Sequence, residues 1–288
     1  MAGVLAAMAV ALASCGAASP SSTATGARGS GPVDVLYAGS LLDLMQHQIA
    51  PAFEKVSGYT VSGYPGGSTA LAAQIKGGAV RGDVFVSASP AVNTTLGGAA
   101  NGNWVSWYVA FADSPLVLGY NPSSAFAHDL ETEPWYEVVG RPGFLLGRTD
   151  PATDPKGALA VEALHRAAAE YLVPALAALA ASGTNVFPET TLVGRLQAGQ
   201  LDAAFFYGVE AAAARIDKLP LTGVRLAATY TTTILNRSPH SAGARAFVAF
   251  LLSAGGRKIL SANGAEPIVP ARITGRSLVP VSVRAVLP

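Results

Sequence analysis

The sequence is poor in charged residues and in cysteine, and both shortages exclude whole classes of function. Charged residues make up 13% of the 288 residues, and 19 lysines and arginines nearly balance 18 aspartates and glutamates. No run is rich in lysine and arginine, so the electrostatic footprint of a nucleic-acid-binding protein is missing. The single cysteine, Cys15, excludes an internal disulfide.

Motifs for catalysis and for metal binding are missing as well. The four histidines show neither metal-ligand spacing nor a carboxylate-bearing motif around them. The sequence also has no Gly-x-Ser-x-Gly elbow and no Gly-x-x-x-x-Gly-Lys-Ser/Thr phosphate loop. We therefore expect a protein that binds a ligand without being an enzyme and without a cofactor.

The first 32 residues have the features of an exported, lipid-anchored protein. Residues 1–14 form an uncharged apolar run that is shorter than the roughly 20 residues needed to cross a bilayer. The run ends in Leu12-Ala13-Ser14-Cys15-Gly16, which matches a bacterial lipobox. We predict a lipoprotein signal peptide and lipobox over 1–15, lipidation at Cys15, and a disordered tether of small polar residues over 16–32. The predicted location is extracytoplasmic, at the cell membrane.

From residue 33 onward, short β-rich runs alternate with alanine-rich helical stretches. This alternation predicts βαβ units and an α/β fold with a mainly parallel sheet. The patterns place strands at 33–38, 60–64, 84–87, 116–120, 144–147, 203–207 and 227–235, and helices at 41–53, 69–75, 156–171, 209–215 and 242–252.

Two early segments each place a serine at the start of a helix that follows a strand. The first strand ends in Gly39-Ser40, and the second leads into Gly66-Gly67-Ser68-Thr69. A helix N-terminus carries unpaired N–H groups and the positive end of the helix dipole, and glycine lets the backbone approach a ligand closely. Two such corners suit a small oxyanion. The alternative is that both serines are ordinary N-caps.

A second group of candidates comes from the middle of the chain. Pro155 suits the first turn of a helix, which makes Asp154 its N-cap and leaves the N–H groups of Lys156 and Gly157 facing a ligand. Tyr207 ends a predicted strand, so its hydroxyl can reach the same space. The alternatives are that Tyr207 is a core residue with a satisfied hydroxyl and that the Lys156 side chain is solvated at the surface.

The order and spacing of several motifs resemble the molybdate/tungstate-binding subunits of ABC importers, and the tungstate-type branch in particular. The resemblance covers residues 33–269. Its motifs are Tyr37-Ala-Gly-Ser40, Gly66-Gly-Ser-Thr69, Gly82-Asp-Val-Phe-Val-Ser-Ala-Ser89, Trp107-Tyr-Val-Ala-Phe-Ala112, Leu116-Val-Leu-Gly-Tyr120, Pro134-Trp-Tyr-Glu137, residues 150–157, Gly199-Gln-Leu-Asp-Ala203 and Leu251-Leu-Ser-Ala-Gly-Gly-Arg-Lys-Ile-Leu260.

The resemblance implies a two-lobed periplasmic-binding-protein fold of type II. Each lobe would be a mainly parallel sheet flanked by helices, and two strands would form the hinge. Lobe 1 would comprise 33–119 plus 230–288, and lobe 2 would comprise 120–229.

The resemblance also implies a ligand site. Ser40 and Ser68, with the neighbouring Thr69, match the positions that bind the anion through hydroxyl and backbone N–H groups. The residues implied in the second lobe are a backbone donor at Lys156 or Gly157, a further donor near Thr190, and the hydroxyl of Tyr207.

In the tungstate-type branch, two carboxylates can complete an octahedral metal environment. Asp154 fits the first of these positions, whereas Phe206 stands at the second. This departure favours a tetrahedral anion that is held by neutral donors.

The resulting prediction is a monomeric solute-binding lipoprotein that delivers molybdate or tungstate to an ABC permease. Three alternatives stay open. The same fold could bind sulfate, phosphate or an organic anion, a similar scaffold could carry an enzyme, or the chain could be a surface lipoprotein without a small ligand.

Overall fold

The computed structural model describes Gly3 and residues 29–287. The predicted lipidation site, Cys15, therefore lies outside the described residues. Pro32 was assigned to the tether, but it is the first residue of the first strand. The Gly29 N–H, also in the assigned tether, donates to the Ser57 carbonyl at 2.9 Å. The end of the predicted tether thus packs against the folded body.

Strands and helices alternate along the described part of the chain. The strands are β1 (Pro32–Ala38), β2 (Thr60–Gly66), β3 (Val84–Ser87), β4 (Tyr108–Tyr120), β5 (Leu146–Thr149), β6 (Val186–Phe187), β7 (Ala203–Tyr207), β8 (Asp217–Pro220), β9 (Ala227–Ile234) and β10 (Glu266–Thr274). The α-helices are α1 (Leu42–Leu44), α2 (Ala50–Ser57), α3 (Ser68–Lys76), α4 (Pro90–Thr94), α5 (Ala127–Thr132), α6 (Trp135–Val138), α7 (Pro155–Glu170), α8 (Pro174–Ala181), α9 (Leu192–Gln197), α10 (Gly208–Ala213), α11 (Ser241–Leu252), α12 (Ala254–Ala262) and α13 (Val281–Arg284). Single 3₁₀ turns lie at Gly39–Leu41, Ala99–Asn101, Glu189–Thr191 and Arg276–Leu278, and a π turn lies at Met45–Ile49.

The strands form one continuous mixed sheet in the order β2-β1-β3-β9-β4-β7-β5-β6, and β8 and β10 also pair with β4. Its two ends are parallel, because β1 pairs with β2 and β3, and β5 pairs with β6 and β7. In the centre, β4 and β9 run antiparallel to all their neighbours. The predicted parallel sheet therefore describes the two ends and misses the antiparallel centre.

The long strand β4 joins the two ends of the sheet. The sequence predicted only its last five residues, whereas the strand has 13. β4 pairs with β9 as far as Pro115, opposite Ala227, and from Leu116 it pairs with β7, starting opposite Tyr207. Proline has no N–H to donate, and it is tolerated here because the partner strand changes at this point. The proposed division into lobes at 119/120 and 229/230 remains a prediction.

The helical region after β1 is longer and less regular than predicted. Helical turns run from Gly39 to Ser57 and include the π turn at Met45–Ile49. Pro51, two residues after the π turn, cannot donate to a carbonyl in the preceding turn, which explains the wider turn there. The predicted helix 156–171 is found as α7, which ends at Glu170, and Pro174 begins the next helix, α8.

Packing beneath the helices fixes the corners that carry the candidate site. α3 buries Leu71 and Ile75 against Leu36 and Phe85 in a separate hydrophobic cluster. Burying an aliphatic side chain of this size contributes about 1.5–3 kcal/mol, so the position of Ser68 at the start of α3 is held firmly. In the part of the chain that the structure describes, no helix combines the length and apolar character that a bilayer span requires.

Candidate functional site

The two predicted glycine-serine corners lie at the same edge of the sheet. β1 and β2 pair in parallel and end together, with Ala38 opposite Gly66. Ser40 lies in the 3₁₀ turn after β1, and Ser68 is the first residue of α3. Both serines are buried, with 4% and 1% of their surfaces exposed. The carboxyl edge of a parallel sheet is where open α/β folds bind ligands.

Each serine hydroxyl is oriented by a protein group that leaves its own proton available. Ser68 Oγ accepts a hydrogen bond from the Ala88 N–H at 3.0 Å, so its O–H can be donated elsewhere. Ser40 Oγ lies 2.9 Å from the Tyr230 hydroxyl, and with Tyr230 as the donor the Ser40 proton is also available. Neither serine caps its helix, so the N-cap alternative is wrong.

Asp154 is the N-cap of α7, as predicted. Its carboxylate accepts from the Lys156 N–H at 2.7 Å. The Lys156 N–H is therefore already bonded to the Asp154 side chain. Of the two predicted backbone donors, only the Gly157 N–H is not capped by Asp154. A Cβ on Gly157 would lie 2.4 Å from the Thr149 carbonyl oxygen, so only glycine lets α7 begin so close to β5.

The Ser68 corner contacts the loop that precedes α7. The Ala70 N–H donates to the Thr153 carbonyl at 3.0 Å. A Cβ on Gly67 would come within 2.5 Å of the same carbonyl oxygen and 3.2 Å of Asp154 Cβ. The structure therefore brings Ser68 and Asp154 together across a backbone contact that a side chain at position 67 would obstruct.

Tyr207 supplies a buried hydroxyl that lacks a partner. The residue is fully buried at the end of β7, and its hydroxyl has no hydrogen-bond partner among the described residues. Its ring packs edge-on against Tyr230 at 6.0 Å between centroids. Burial, followed by nearby acidic groups, raises the pKa of Tyr207 well above its usual value, so the hydroxyl keeps its proton. The alternative of a satisfied core hydroxyl is wrong.

The Lys156 side chain is buried, contrary to the expectation of a solvated lysine. Its Nζ lies 3.0 Å from Glu189 Oε1 and 2.7 Å from both carboxylate oxygens of Glu210. Burial by itself lowers the pKa of Lys156, but Glu189, Glu210 and Asp154 together raise it above its usual value. Sequence reasoning missed the two glutamate side chains, and no local signal marks either of them.

Two carboxyl groups of this cluster titrate near neutral pH. Burial, assisted by Glu189, raises the pKa of Asp154 to about 7 against the opposing effect of Lys156. Burial also raises the pKa of Glu210 to about 8, with Lys156 opposing and Glu189 adding to the rise. One ammonium and three carboxyl groups therefore share a small buried region, and two of those carboxyl groups hold protons readily.

Glu189 reaches from its 3₁₀ turn to the first glycine-serine corner. Its carboxylate atom Oε2 is buried without a hydrogen-bond partner in the described part of the chain. The same atom lies 1.7 Å from the position that a Cβ on Gly39 would take. Ser40, Glu189, Glu210 and the exposed Thr190 line a common cavity of about 170 Å³. Ser40 is thus brought together with the charged cluster.

Of the predicted site residues, only Ser40 and Thr190 line this cavity, and Ser68, Thr69, Asp154, Lys156, Gly157 and Tyr207 do not. Thr69 is half-buried and lines another cavity, of about 310 Å³, with Ser89 and Pro155. Phe206 is fully buried, and Lys156 Nζ lies 5.3 Å from the centre of its ring.

A separate group of potential metal ligands has a structural role. One ligand atom each from Asp34, Asp83 and His240 lies within 4.8 Å of the others. The buried Asp83 carboxylate already accepts four hydrogen bonds, from the Asp34 N–H, the Ser238 hydroxyl, the His240 N–H and His240 Nδ1. Because the Asp83 carboxylate accepts these four hydrogen bonds, we interpret the group as a structural link between β1, β3 and the turn before α11.

Comparisons with known proteins agree on the class of the chain. Residues 33–266 match the sequence family described as bacterial extracellular solute-binding protein. A Petrotoga mobilis protein named as an uncharacterized solute-binding protein is 29% identical over 83% of this chain and 85% of its own. A Haloferax volcanii protein named as a putative ABC transporter molybdenum-binding protein is 33% identical over 61% of this chain and 54% of its own.

A solved structure shows the same fold. The periplasmic molybdate-binding protein of Azotobacter vinelandii aligns with a TM-score of 0.65 at 20% identity, over 81% of this chain and 98% of that one. The two-lobed α/β fold that the sequence predicted is confirmed by this likeness.

Proposed function

The chain belongs to the family of bacterial extracellular solute-binding proteins, and on this basis we propose that it captures a tetrahedral oxyanion, molybdate or tungstate, for an ABC importer. Proteins of this family bind solutes for transport and are not enzymes. The names of the Haloferax volcanii relative and of the Azotobacter vinelandii protein support molybdate as the guest.

The observation that carries the proposal is the unpartnered hydroxyl of Tyr207. A buried polar group without a hydrogen-bond partner costs about 1–3 kcal/mol, so the binding of a hydrogen-bond acceptor next to this hydroxyl is favoured. Ser68 can donate a proton as well, because its oxygen accepts from the Ala88 N–H, and Ser40 can do so when Tyr230 is the donor of their shared hydrogen bond. With the Gly157 N–H, these groups make a donor set that suits an anion.

Binding depends on exchanging hydration for preorganised donors. Hydrogen bonds to a charged group contribute about 1.5–3 kcal/mol each, and several of them offset the cost of burying the anion. Lys156 supplies a positive charge that the predicted neutral site lacked. Asp154 and Glu210, when protonated, no longer repel an anionic ligand.

The proposed setting of the protein is extracytoplasmic. Lipid on Cys15 would anchor a monomer to the cell membrane, and closure of the lobes over the anion would create the surface that a permease binds. Mass spectrometry of the membrane fraction tests the anchor, because a diacylglyceryl group on Cys15 is expected and a Cys15→Ser variant must lack it.

Thermal unfolding with different anions tests the proposed ligand. A guest that binds only the native state stabilises it by about 2.7 kcal/mol at 100 times its Kd. We expect molybdate and tungstate to raise the Tm more than sulfate or phosphate at equal concentration. A Tyr207→Phe variant should lose most of this increase, whereas Tyr64→Phe, at an exposed tyrosine, should keep it. An unchanged Tm with all four anions contradicts the proposal, and a response to sulfate or phosphate alone supports the alternative ligands.

A further inference from the structure

The Glu189 side chain lies beside the Gly39-Ser40 corner, where the proposed function places the anionic ligand. Its Oε2 atom contacts the Gly39-Ser40 corner so closely that any side chain at position 39 would collide with it. The corner carries the buried Ser40 hydroxyl, a donor of the proposed site. A carboxylate is itself a small oxyanion. Glu189 therefore presents to this corner the same chemistry as the ligand.

Only one oxygen of the Glu189 carboxylate has a hydrogen-bond partner among the described residues. Oε1 accepts from Lys156 Nζ at 3.0 Å, whereas Oε2 has no hydrogen-bond partner among the described residues. The side chain is 3% exposed, so solvent does not compensate for the missing partner. Because an unpaired buried oxygen is costly, this arrangement is easier to displace than a fully bonded ion pair.

We propose that the Glu189 carboxylate is an internal competitor that occupies the Gly39-Ser40 corner until an oxyanion displaces it. The inference rests on the proposed function and adds a determinant of selectivity to it. A guest must bind the corner better than a tethered carboxylate does. A dianion with four oxygens can bind the corner better than Glu189 does. A simple monocarboxylate makes only the interactions that Glu189 already makes, so it should not displace Glu189.

The groups around Glu189 allow this exchange. Lys156 faces it from α7 and Glu210 from α10, Asp154, Tyr207 and Tyr230 are further titratable groups of the cluster, and Asp43 lines the adjoining cavity. Lys156 keeps Glu210 as a hydrogen-bond partner when Glu189 moves. The displaced carboxylate can turn into the 170 Å³ cavity that Glu189 and Thr190 line.

Calorimetric titration of the full chain with molybdate tests the proposal. Glu189→Gln keeps an acceptor for Lys156 but removes the negative charge next to the guest, and we expect it to bind molybdate about tenfold or more tightly than the parent chain. Glu189→Asp, with one methylene fewer, should also bind more tightly because its carboxylate no longer reaches the corner. Glu162→Gln removes a surface glutamate that pairs with Arg166 and should leave the affinity unchanged.

Acetate supplies a second measurement. In Glu189→Ala, acetate should weaken molybdate binding because it can take the place of the missing carboxylate, whereas the parent chain should bind molybdate equally well with and without acetate. Unchanged or weaker molybdate binding by both Glu189→Gln and Glu189→Asp, in variants that unfold near the parent Tm, overturns the inference alone. If neither the parent chain nor any variant binds an oxyanion, the proposed function fails and the inference fails with it.

Discussion

Single residues determine whether the proposed site can hold an anion. Replacing Ser40 or Ser68 with alanine removes one hydroxyl donor, and a hydrogen bond to a charged partner contributes about 1.5–3 kcal/mol. We expect each single variant to weaken molybdate binding by roughly 10- to 100-fold, and the double variant to bind too weakly to measure by calorimetry. Ser62→Ala, at an exposed position of β2, is the control. A double variant with parental affinity would show that these hydroxyls do not contact the guest.

The buried ammonium of Lys156 makes a prediction about stability. Lys156→Met keeps the length of the side chain but leaves the carboxyl groups of Glu189 and Glu210 without their cation. Removing one partner of a buried ion pair costs about 3–5 kcal/mol, and we expect a loss of this size in denaturant unfolding. Adding Glu189→Gln and Glu210→Gln should recover most of the loss, because the uncompensated charges are then gone. Equal stability of the parent and Lys156→Met would contradict this account.

The sequence predicts the site residues whose role is local. The caps and corners around Ser40, Ser68 and Asp154 follow from turn chemistry within a few residues, and all three are found where the patterns put them, at helix starts. The partners of Lys156 could not be predicted in this way, because Glu189 and Glu210 lie 33 and 54 residues away along the chain. Only the fold brings these side chains together, and it also buries a lysine that the residue type alone favours at the surface.

At the scale of elements, Gly67 controls how closely α3 and the loop before α7 approach each other. A methyl group at position 67 would lie 2.5 Å from the Thr153 carbonyl oxygen, so Gly67→Ala must push the two elements apart. We expect at least tenfold weaker molybdate binding with a change in Tm of only a few degrees, because the contact joins two surfaces and not a hydrophobic core. Gly183→Ala, where a Cβ meets nothing within 4 Å, is the matched control. Parental affinity in Gly67→Ala would argue against a closed contact in the bound state.

The elements that the sequence misses are those with a weak or interrupted pattern. β6 has two residues, and β8 is a largely exposed Asp-Lys-Leu-Pro segment, so neither shows an alternating apolar pattern. The first part of β4 was missed because Pro115 suggests a break, whereas the strand continues through it with a change of partner. Pattern-based prediction finds elements with one exposed face more readily than strands that switch partners.

At the scale of the whole molecule, the sequence predicts the α/β class but not the strand order. Alternating strands and helices imply parallel βαβ units, and these exist at both ends of the sheet. The antiparallel centre arises because β9 returns between β3 and β4, far along the chain from both. The two-lobed architecture came from the family resemblance, because strand direction is not encoded in local periodicity.

The pH dependence of stability depends on three carboxyl groups, those of Asp83, Asp154 and Glu210. Burial alone would raise the pKa of Asp83, but hydrogen bonds from Ser238, the Asp34 N–H and His240 lower it below 3.8 overall. Asp83 therefore stabilises the fold above its unfolded pKa, and this contribution is lost as the pH falls through its folded pKa. Asp154 and Glu210 behave oppositely, because their folded pKa values, about 7 and about 8, exceed the ordinary values of 3.8 and 4.5. Their contribution is complete below those ordinary values and is lost as the pH rises through 7 and 8.

We therefore expect the free energy of unfolding of the ligand-free protein to be highest near pH 4, to fall at more acidic pH, and to fall also as the pH rises from about 4 to about 8, as measured by urea unfolding at intervals of half a pH unit. Asp154→Asn combined with Glu210→Gln should flatten the decline between about pH 4 and pH 8 and leave the acidic side unchanged. Asp83→Asn should lower stability at neutral pH and flatten the acidic decline, because it removes a carboxylate that accepts four hydrogen bonds. A stability that rises steadily from pH 5 to pH 8 would show that the buried carboxyl groups do not take up protons on folding.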